Sequence, residues 1–198
     1  MNVDIIPALV LFAFVSSITP GPNNLMLMAS GANFGLQRTI PHMLGVGIGF
    51  SLMVVLVGLG IIQVFDRFPI SHDILKYFSV AYLLWLAYKI AMSSEAIKEQ
   101  STGDKPMTFI QAVLFQWVNP KAWTMALTAI SVYAPSQSVE SICLVALIFG
   151  LVNIPSVSSW AVLGQQMQRL LTNITRLRVF NGTMAFMLVL SLYPAVFT

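Results

Sequence analysis

Charge is scarce in this chain. Of its 198 residues, 10 are Lys or Arg and 7 are Asp or Glu, so 9% are charged, against about 25% in soluble globular domains. A water-soluble fold of this length needs far more charged surface. A hydrophobic share of 57% and a mean hydropathy of +0.82 exclude a disordered chain as well. Cysteine is nearly absent: Cys143 stands alone. It can neither close an internal disulfide nor shuttle one, which excludes a thiol-redox conduit, and inside an apolar stretch it reads as a small buried hydrophobe. His42 and His72 stand at the edges of apolar stretches with no second ligand at metal spacing, so they read as solvated or interfacial, and no metal or cofactor site is read. No HExxH, paired aspartate or nucleophile–base pair occurs within the apolar stretches, which argues against an intramembrane enzyme. The net charge of +3 comes without a basic run interleaved with aromatics, so no nucleic-acid partner is expected.

What the chain does have is six apolar stretches, at 5–28, 43–64, 77–92, 109–132, 139–163 and 180–197. A span needs ~20 apolar residues to cross ~30 Å of hydrocarbon. The expectation is an all-α membrane protein, a single transmembrane domain over 1–198 whose main partner is the lipid bilayer, with no room for a soluble domain. The first stretch reads as a retained span, because no basic residue precedes it and it runs on past Pro22. Seven basic residues (Arg38, Lys89, Lys98, Lys105, Arg169, Arg176 and Arg178) fall on one side of this arrangement, and only Arg67 and Lys76 on the other. The positive-inside rule then puts both termini outside and the basic loops in the cytoplasm of a multi-pass membrane protein.

The polar connector at 93–107 divides the chain into repeats of about 1–92 and 108–198. Each holds three spans, and three is odd, so similar halves must insert in opposite orientation. Self-similarity supports the division. Thr19-Pro20 falls on Asn119-Pro120 at an offset of 100 residues, and AYLLWL at 81–86 falls on AFMLVL at 185–190 at an offset of 104. Thus the first span of each half is broken, by Thr19-Pro20-Gly21-Pro22-Asn23-Asn24 and by Gln116-Trp117-Val118-Asn119-Pro120-Lys121. Proline removes a helical N–H and displaces a carbonyl, and freed carbonyls within a membrane must line a protein-enclosed or watered cavity. Thr19 or Asn119 as N-cap, with proline at N1, would start a new helix there. Its positive end attracts a carboxylate. Inverted repeats with discontinuous helices in matching positions are the pattern of secondary transporters.

Nine of the ten basic residues set the orientation. The tenth, Lys121, falls near the middle of its span, where a lysine costs at least ~2.5 kcal/mol and marks a functional site. It is read as the counter-ion of a substrate carboxylate. No acidic residue lies comparably deep: Asp4 and Glu140 are at span edges, and Asp66, Asp73, Glu95, Glu99 and Asp104 are in loops. The cargo is therefore expected to be anionic or zwitterionic. In this reading Lys121, Asn119 and Thr19 donate to the carboxylate, while Asn23 or Asn24 and the carbonyls before Pro20 and Pro120 receive the ammonium. Gly21, Pro22 and Gln116 complete the candidate site.

Weaker signals accompany these. Gly45, Gly47 and Gly49, with Gly58 and Gly60, give the second span a small-residue face for close helix packing. Asn153 and Pro155 read as a kink lining the cavity. Trp160, Tyr133 and Tyr193 fit interfacial belts, and Met26 and Met28 read as core or lipid-facing filler.

The first break, followed by Gly31, Gly35 and Gly45-Val46-Gly47, resembles the N-terminal signature of the LysE/RhtB superfamily of amino-acid exporters. Gln116-Trp117-Val118-Asn119-Pro120-Lys121 is similar to the same family's Asn-Pro-Lys segment, and Ala81-Tyr82-Leu83 with Trp85 to Lys89 matches its third-span pattern. The resemblance covers essentially the whole chain. It implies an inner-membrane exporter of a small amino acid, driven by an ion gradient, with H+ as the coupling ion. Lysine- and arginine-exporting members carry an acidic residue in span two, where this chain has GVGIGF at 45–50. The resemblance thus implies the branches that export neutral amino acids, of the cysteine/O-acetylserine or homoserine/threonine type. With no buried carboxylate to carry a proton, Lys121 is the candidate carrier. A passive facilitator or channel for small zwitterions is the alternative, and the sequence leaves the oligomeric state open, a homo-oligomer included.

Overall fold

The computed structural model describes residues 5–61, 67–68, 70–96, 105–134, 136 and 138–193, with backbone alone at 71–72 and 94–96. The side chains of Asp4, Asp66, His72, Glu95, Glu99 and Asp104, and most of the connector at 93–107, lie outside the described residues. Those described form eight α-helices and no strand: α1 (Ile6–Ile18), α2 (Pro22–Phe34), α3 (Leu36–Leu56), α4 (Ile70–Ala96), α5 (Phe109–Phe115), α6 (Pro120–Tyr133), α7 (Val139–Gln168) and α8 (Ile174–Leu190). A π-helical turn at Val57–Ile61 follows α3, and a 3-10 turn at Gln116–Val118 joins α5 to α6.

Local chemistry sets several of these boundaries. Thr108 and Gln111 form a capping box at the start of α5, and the side chains of Ser138 and Asn173 cap α7 and α8. Gly35, with φ +80°, supplies the left-handed residue that ends α2 and lets α3 begin at once. The helix therefore starts at Leu36, seven residues before the expected span. Hydropathy locates the hydrocarbon, but backbone hydrogen bonds continue beyond it. Helix α7 also runs unbroken through Pro155.

By length and composition three helices among the described residues can cross a membrane: Leu36–Ile61, Asp73–Ser93 and Val139–Gln168. A fourth crossing is available if α1 and α2, bent by 54° at their break, count as one span. The second break leaves α5 and α6 with 7 and 14 residues, and α8 has 17, so none of these reaches span length alone. The fold is thus all-α with several membrane-length helices.

Helix α7 is the hub, packing against α1, α2 and α3, while α3 also packs on α5 and α4 on α8. Small residues permit this closeness. A Cβ on Gly31 would collide with the carbonyl of Ala161, and one on Gly164 with that of Met28, so the backbones of α2 and α7 touch at both positions. Gly45 and Gly49 face α5, and Gly47 faces Ile154 of α7, which makes the glycine stripe of α3 a packing surface on two sides. Leu11, Phe14, Ile48, Leu52, Leu147 and Leu151 point outward, giving an apolar exterior suited to lipid.

Two expectations fail. Cys143 is exposed, not buried, because on a helix with an apolar exterior an apolar neighbourhood does not imply an inward direction. His42 is 1% exposed, not solvated. The early start of α3 places it in the second helical turn, three residues after Thr39, whose hydroxyl pairs with Ser30 of α2 at 2.9 Å.

Candidate functional site

The two breaks, 100 residues apart in sequence, meet in space. At the first, Pro20 pushes Thr19 out of the helical region, to φ −64° and ψ 143°, and α1 ends there. Helix α2 starts afresh with Pro22 in its first turn and Gly21 as N-cap. Thr19 is therefore the C-terminal cap of α1 and not the N-cap of the next helix. Of the two prolines it is Pro22 that sits at the new helix start, since Pro20 is separated from it by Gly21 in extended backbone (φ −178°). At the second break the expectation holds: Asn119 is the N-cap of α6, its Oδ1 accepting from the Lys121 N–H at 3.1 Å, with Pro120 in the first turn.

Every carbonyl of residues 16–20 finds a donor. Ser16 accepts from the Thr19 hydroxyl at 3.1 Å, Ser17 from Asn24 Nδ2 at 2.8 Å, and Ile18 from the Trp160 indole at 3.0 Å. Thr19 O accepts from Asn24 Nδ2 at 2.8 Å and from Lys121 Nζ at 2.6 Å. Lys121 Nζ donates in addition to Thr19 Oγ1 at 2.9 Å and lies 3.4 Å from Pro20 O. The broken helix is thus held by side chains in place of water. Trp160 belongs to this arrangement: its position on α7 turns the indole toward the break.

Gln116 and Asn23 join the breaks a second time by a reciprocal amide pair, Asn23 Nδ2 to Gln116 Oε1 at 2.9 Å and Gln116 Nε2 to Asn23 Oδ1 at 3.3 Å. Gln116 is fully buried and donates also to Ala112 O. Between the breaks lies a narrow cavity of about 20 Å³, lined by Gly21, Asn23, Asn24, Asn119, Lys121 and Asn153 with Ser16 and Ser17, and also by the apolar Phe50, Ala122, Met125 and Val157. That is space on the scale of one water. Asn153 donates to Ser17 Oγ at 3.0 Å, but its buried Oδ1 has no partner. Ser17 was not singled out in the sequence; a serine ahead of a proline break gives no signal of its own. Gly21 is required for closeness: a Cβ there would stand 2.7 Å from Lys121 Cδ and 3.2 Å from Nζ.

Electrostatically the site is a cation held by neutral oxygens. Among the described Lys and Arg side chains, Lys121 alone is partly buried and the others are exposed. The described acids, Asp73 and Glu140, are exposed as well. No side chain caps the N-terminus of α2, so its first-turn N–H groups form an open positive end beside Lys121. No group of three or more metal-ligating side chains occurs among the described residues.

A model of the LysE type translocator family matches residues 14–193. The chain is similar to a cysteine/O-acetylserine efflux protein of Escherichia coli strain K12, at 30% identity over 90% of each chain. A protein of the same name from Klebsiella pneumoniae subsp. pneumoniae is 28% identical over 86% of this chain and 87% of its own. No solved structure matches. Broken helices around a partly buried lysine, and a family match spanning nearly the whole chain, lead to one conclusion: this is a multi-pass membrane transport protein and not an enzyme, and it belongs to the LysE type translocator family.

Proposed function

We propose that this protein exports a small neutral amino acid or derivative, of the cysteine/O-acetylserine or homoserine/threonine type, across the inner membrane by secondary active transport. The observation that carries this reading is the Lys121 ammonium held by uncharged oxygens of the opposite break. A zwitterion can exchange with that arrangement. Its carboxylate takes Lys121 and the open N-terminus of α2, and its ammonium takes the Thr19 and Pro20 carbonyls that Lys121 leaves. Charge is conserved in the swap, so neither group is left without a partner. A substrate with a second positive charge would find no carboxylate among the described lining residues. The names of the similar proteins support the same cargo class.

In the six-span reading, α1 with α2 and α5 with α6 are equivalent broken spans of two inverted repeats, and both termini are periplasmic. Supporting this, α1 packs on α7 as α5 packs on α3, and the remaining equivalents pair with each other, α3 with α7 and α4 with α8. The present arrangement leaves a cavity the size of one water between the breaks, with Thr19 and Pro20 exposed beside it. Rocking of the halves about the breaks would open it to either side. Proton antiport supplies the drive in this reading, with Lys121 as carrier. Efflux from proteoliposomes, loaded with a panel of labelled amino acids and run with and without a pH gradient, tests the proposal. Preferential, gradient-stimulated efflux of O-acetylserine, homoserine or threonine is expected; preferential efflux of lysine or arginine contradicts it. Efflux indifferent to the gradient favours the passive facilitator.

A further inference from the structure

A second and larger cavity, of about 130 Å³, lies apart from the breaks, between α2, α3, α4 and the segment that leads into α5. It holds about four waters at their share of ~30 Å³ each, room for a small metabolite but not for a peptide. Its chemistry is graded with depth. Lys89 and Lys105 line it and are exposed, whereas His42 lines it and is 1% exposed, so the lysines stand at the mouth and the imidazole at the floor. Both ring nitrogens of His42 are buried without a hydrogen-bond partner. A buried polar atom left unpaired is destabilising. With both nitrogens closed off just beneath the pocket floor, the imidazole is a recognition element that a small rotation of its ring would present to a ligand. The walls agree: Ser30 and Asn33 come from α2, and Tyr82 and Trp85 from α4, with Lys89 Nζ 4.8 Å from the Trp85 ring centre.

From this placement we infer that the pocket between α2, α3 and α4 is a second binding site for a small amino-acid zwitterion, with its carboxylate toward Lys89 and Lys105 and its ammonium on the His42 imidazole. The inference rests on the export reading for the identity of the ligand. It adds a staging site on the basic side of the molecule, distinct from the site at the breaks. The charged and titratable groups that line the pocket with His42 are Lys89 and Tyr82 from α4 and Lys105 from the segment before α5. The lining residues of α2 are uncharged, and Arg38 of α3 stacks on one of them, Phe34, as a further cation at the pocket's edge. No acidic side chain lines the pocket among the described residues, so the anionic end of the ligand has no competitor there.

The test is an equilibrium one that needs no transport. In a Cys143→Ser background of the full chain, Ile90→Cys places a thiol on the half-buried wall of the pocket. Its modification by a small thiol reagent is timed with O-acetylserine, homoserine or threonine as the probe. At a probe concentration ~10 times its Kd, occupancy should slow labelling about tenfold. Protection should persist in Lys121→Ala, fall in the surface pair Lys89→Gln/Lys105→Gln, vanish in His42→Leu and return in His42→Gln. Absence of protection by every probe overturns the inference. So does protection that Lys121→Ala abolishes and the His42 and lysine variants leave intact. Protection without efflux would retain the site and refute the export reading; efflux without protection would do the reverse.

Discussion

Lys121 Nζ lies 2.6 Å from the carbonyl oxygen of Thr19, a residue 102 positions earlier in the chain. This contact ties the start of α6 to the end of α1, so each proline break is completed by the other. An ammonium inside a membrane protein needs oxygens, and carbonyls freed from a helix need donors. The two requirements meet in one hydrogen bond.

The reciprocal amide pair of Asn23 and Gln116 should behave as a unit. Asn23→Ala leaves the buried Gln116 amide short of a partner and should lower stability by about 1–3 kcal/mol. The double variant with Gln116→Ala should fall short of the sum of the single effects by about 0.5–3 kcal/mol. Thermal unfolding of the detergent-solubilised protein provides the cycle, and strict additivity would dissolve the pair.

Gly21 should be intolerant of a single methyl group. The Cβ of Gly21→Ala would stand 2.7 Å from Lys121 Cδ and drive the lysine from its oxygens. Efflux should drop about tenfold or more, the equivalent of ~1.4 kcal/mol, while the extended backbone at φ −178° admits alanine without strain. A thermal midpoint near that of the wild type, together with lost efflux, is the expected signature.

Packing glycines should divide by what stands opposite them. Gly31→Ala and Gly164→Ala push a methyl group into the backbone of the neighbouring helix and should each destabilise by about 1–3 kcal/mol. Gly182→Ala meets nothing within 4 Å on α8 and should be neutral or stabilising by up to ~1 kcal/mol. Equal midpoint shifts for all three would contradict the close contact of α2 and α7.

The features legible in the sequence were those whose chemistry conflicts with their surroundings. A lysine amid apolar residues, and prolines within a span, can be found without coordinates, and Asn119 capping through Pro120 follows from local rules. Which proline of Thr19-Pro20-Gly21-Pro22 starts the new helix was not legible, because Pro20 and Pro22 satisfy the same rule and only the folded geometry selects between them. Direction was not legible either. In a chain that is apolar inside and out, hydropathy does not say that Cys143 looks outward, that Trp160 turns to the Ile18 carbonyl, or that His42 closes the floor of a pocket. The hydrogen-bond partners of the break were hidden for the same reason, since Asn24, Ser17 and Trp160 lie on different turns and different helices.

The Trp160 contact can be isolated. Trp160→Phe keeps the ring and removes the donor to Ile18 O, and should cost about 0.5–1.5 kcal/mol of stability. An unchanged unfolding midpoint would show that the carbonyl had found another partner.

The central claim is that Lys121 recognises the cargo carboxylate, and initial rates of O-acetylserine efflux by wild type, Lys121→Ala and Lys121→Arg measure it most directly. Loss of a charge-assisted bond worth ~1.5–3 kcal/mol predicts a fall of about ten- to a hundredfold in Lys121→Ala, with partial retention in Lys121→Arg. Efflux by Lys121→Ala at the wild-type rate would contradict the account.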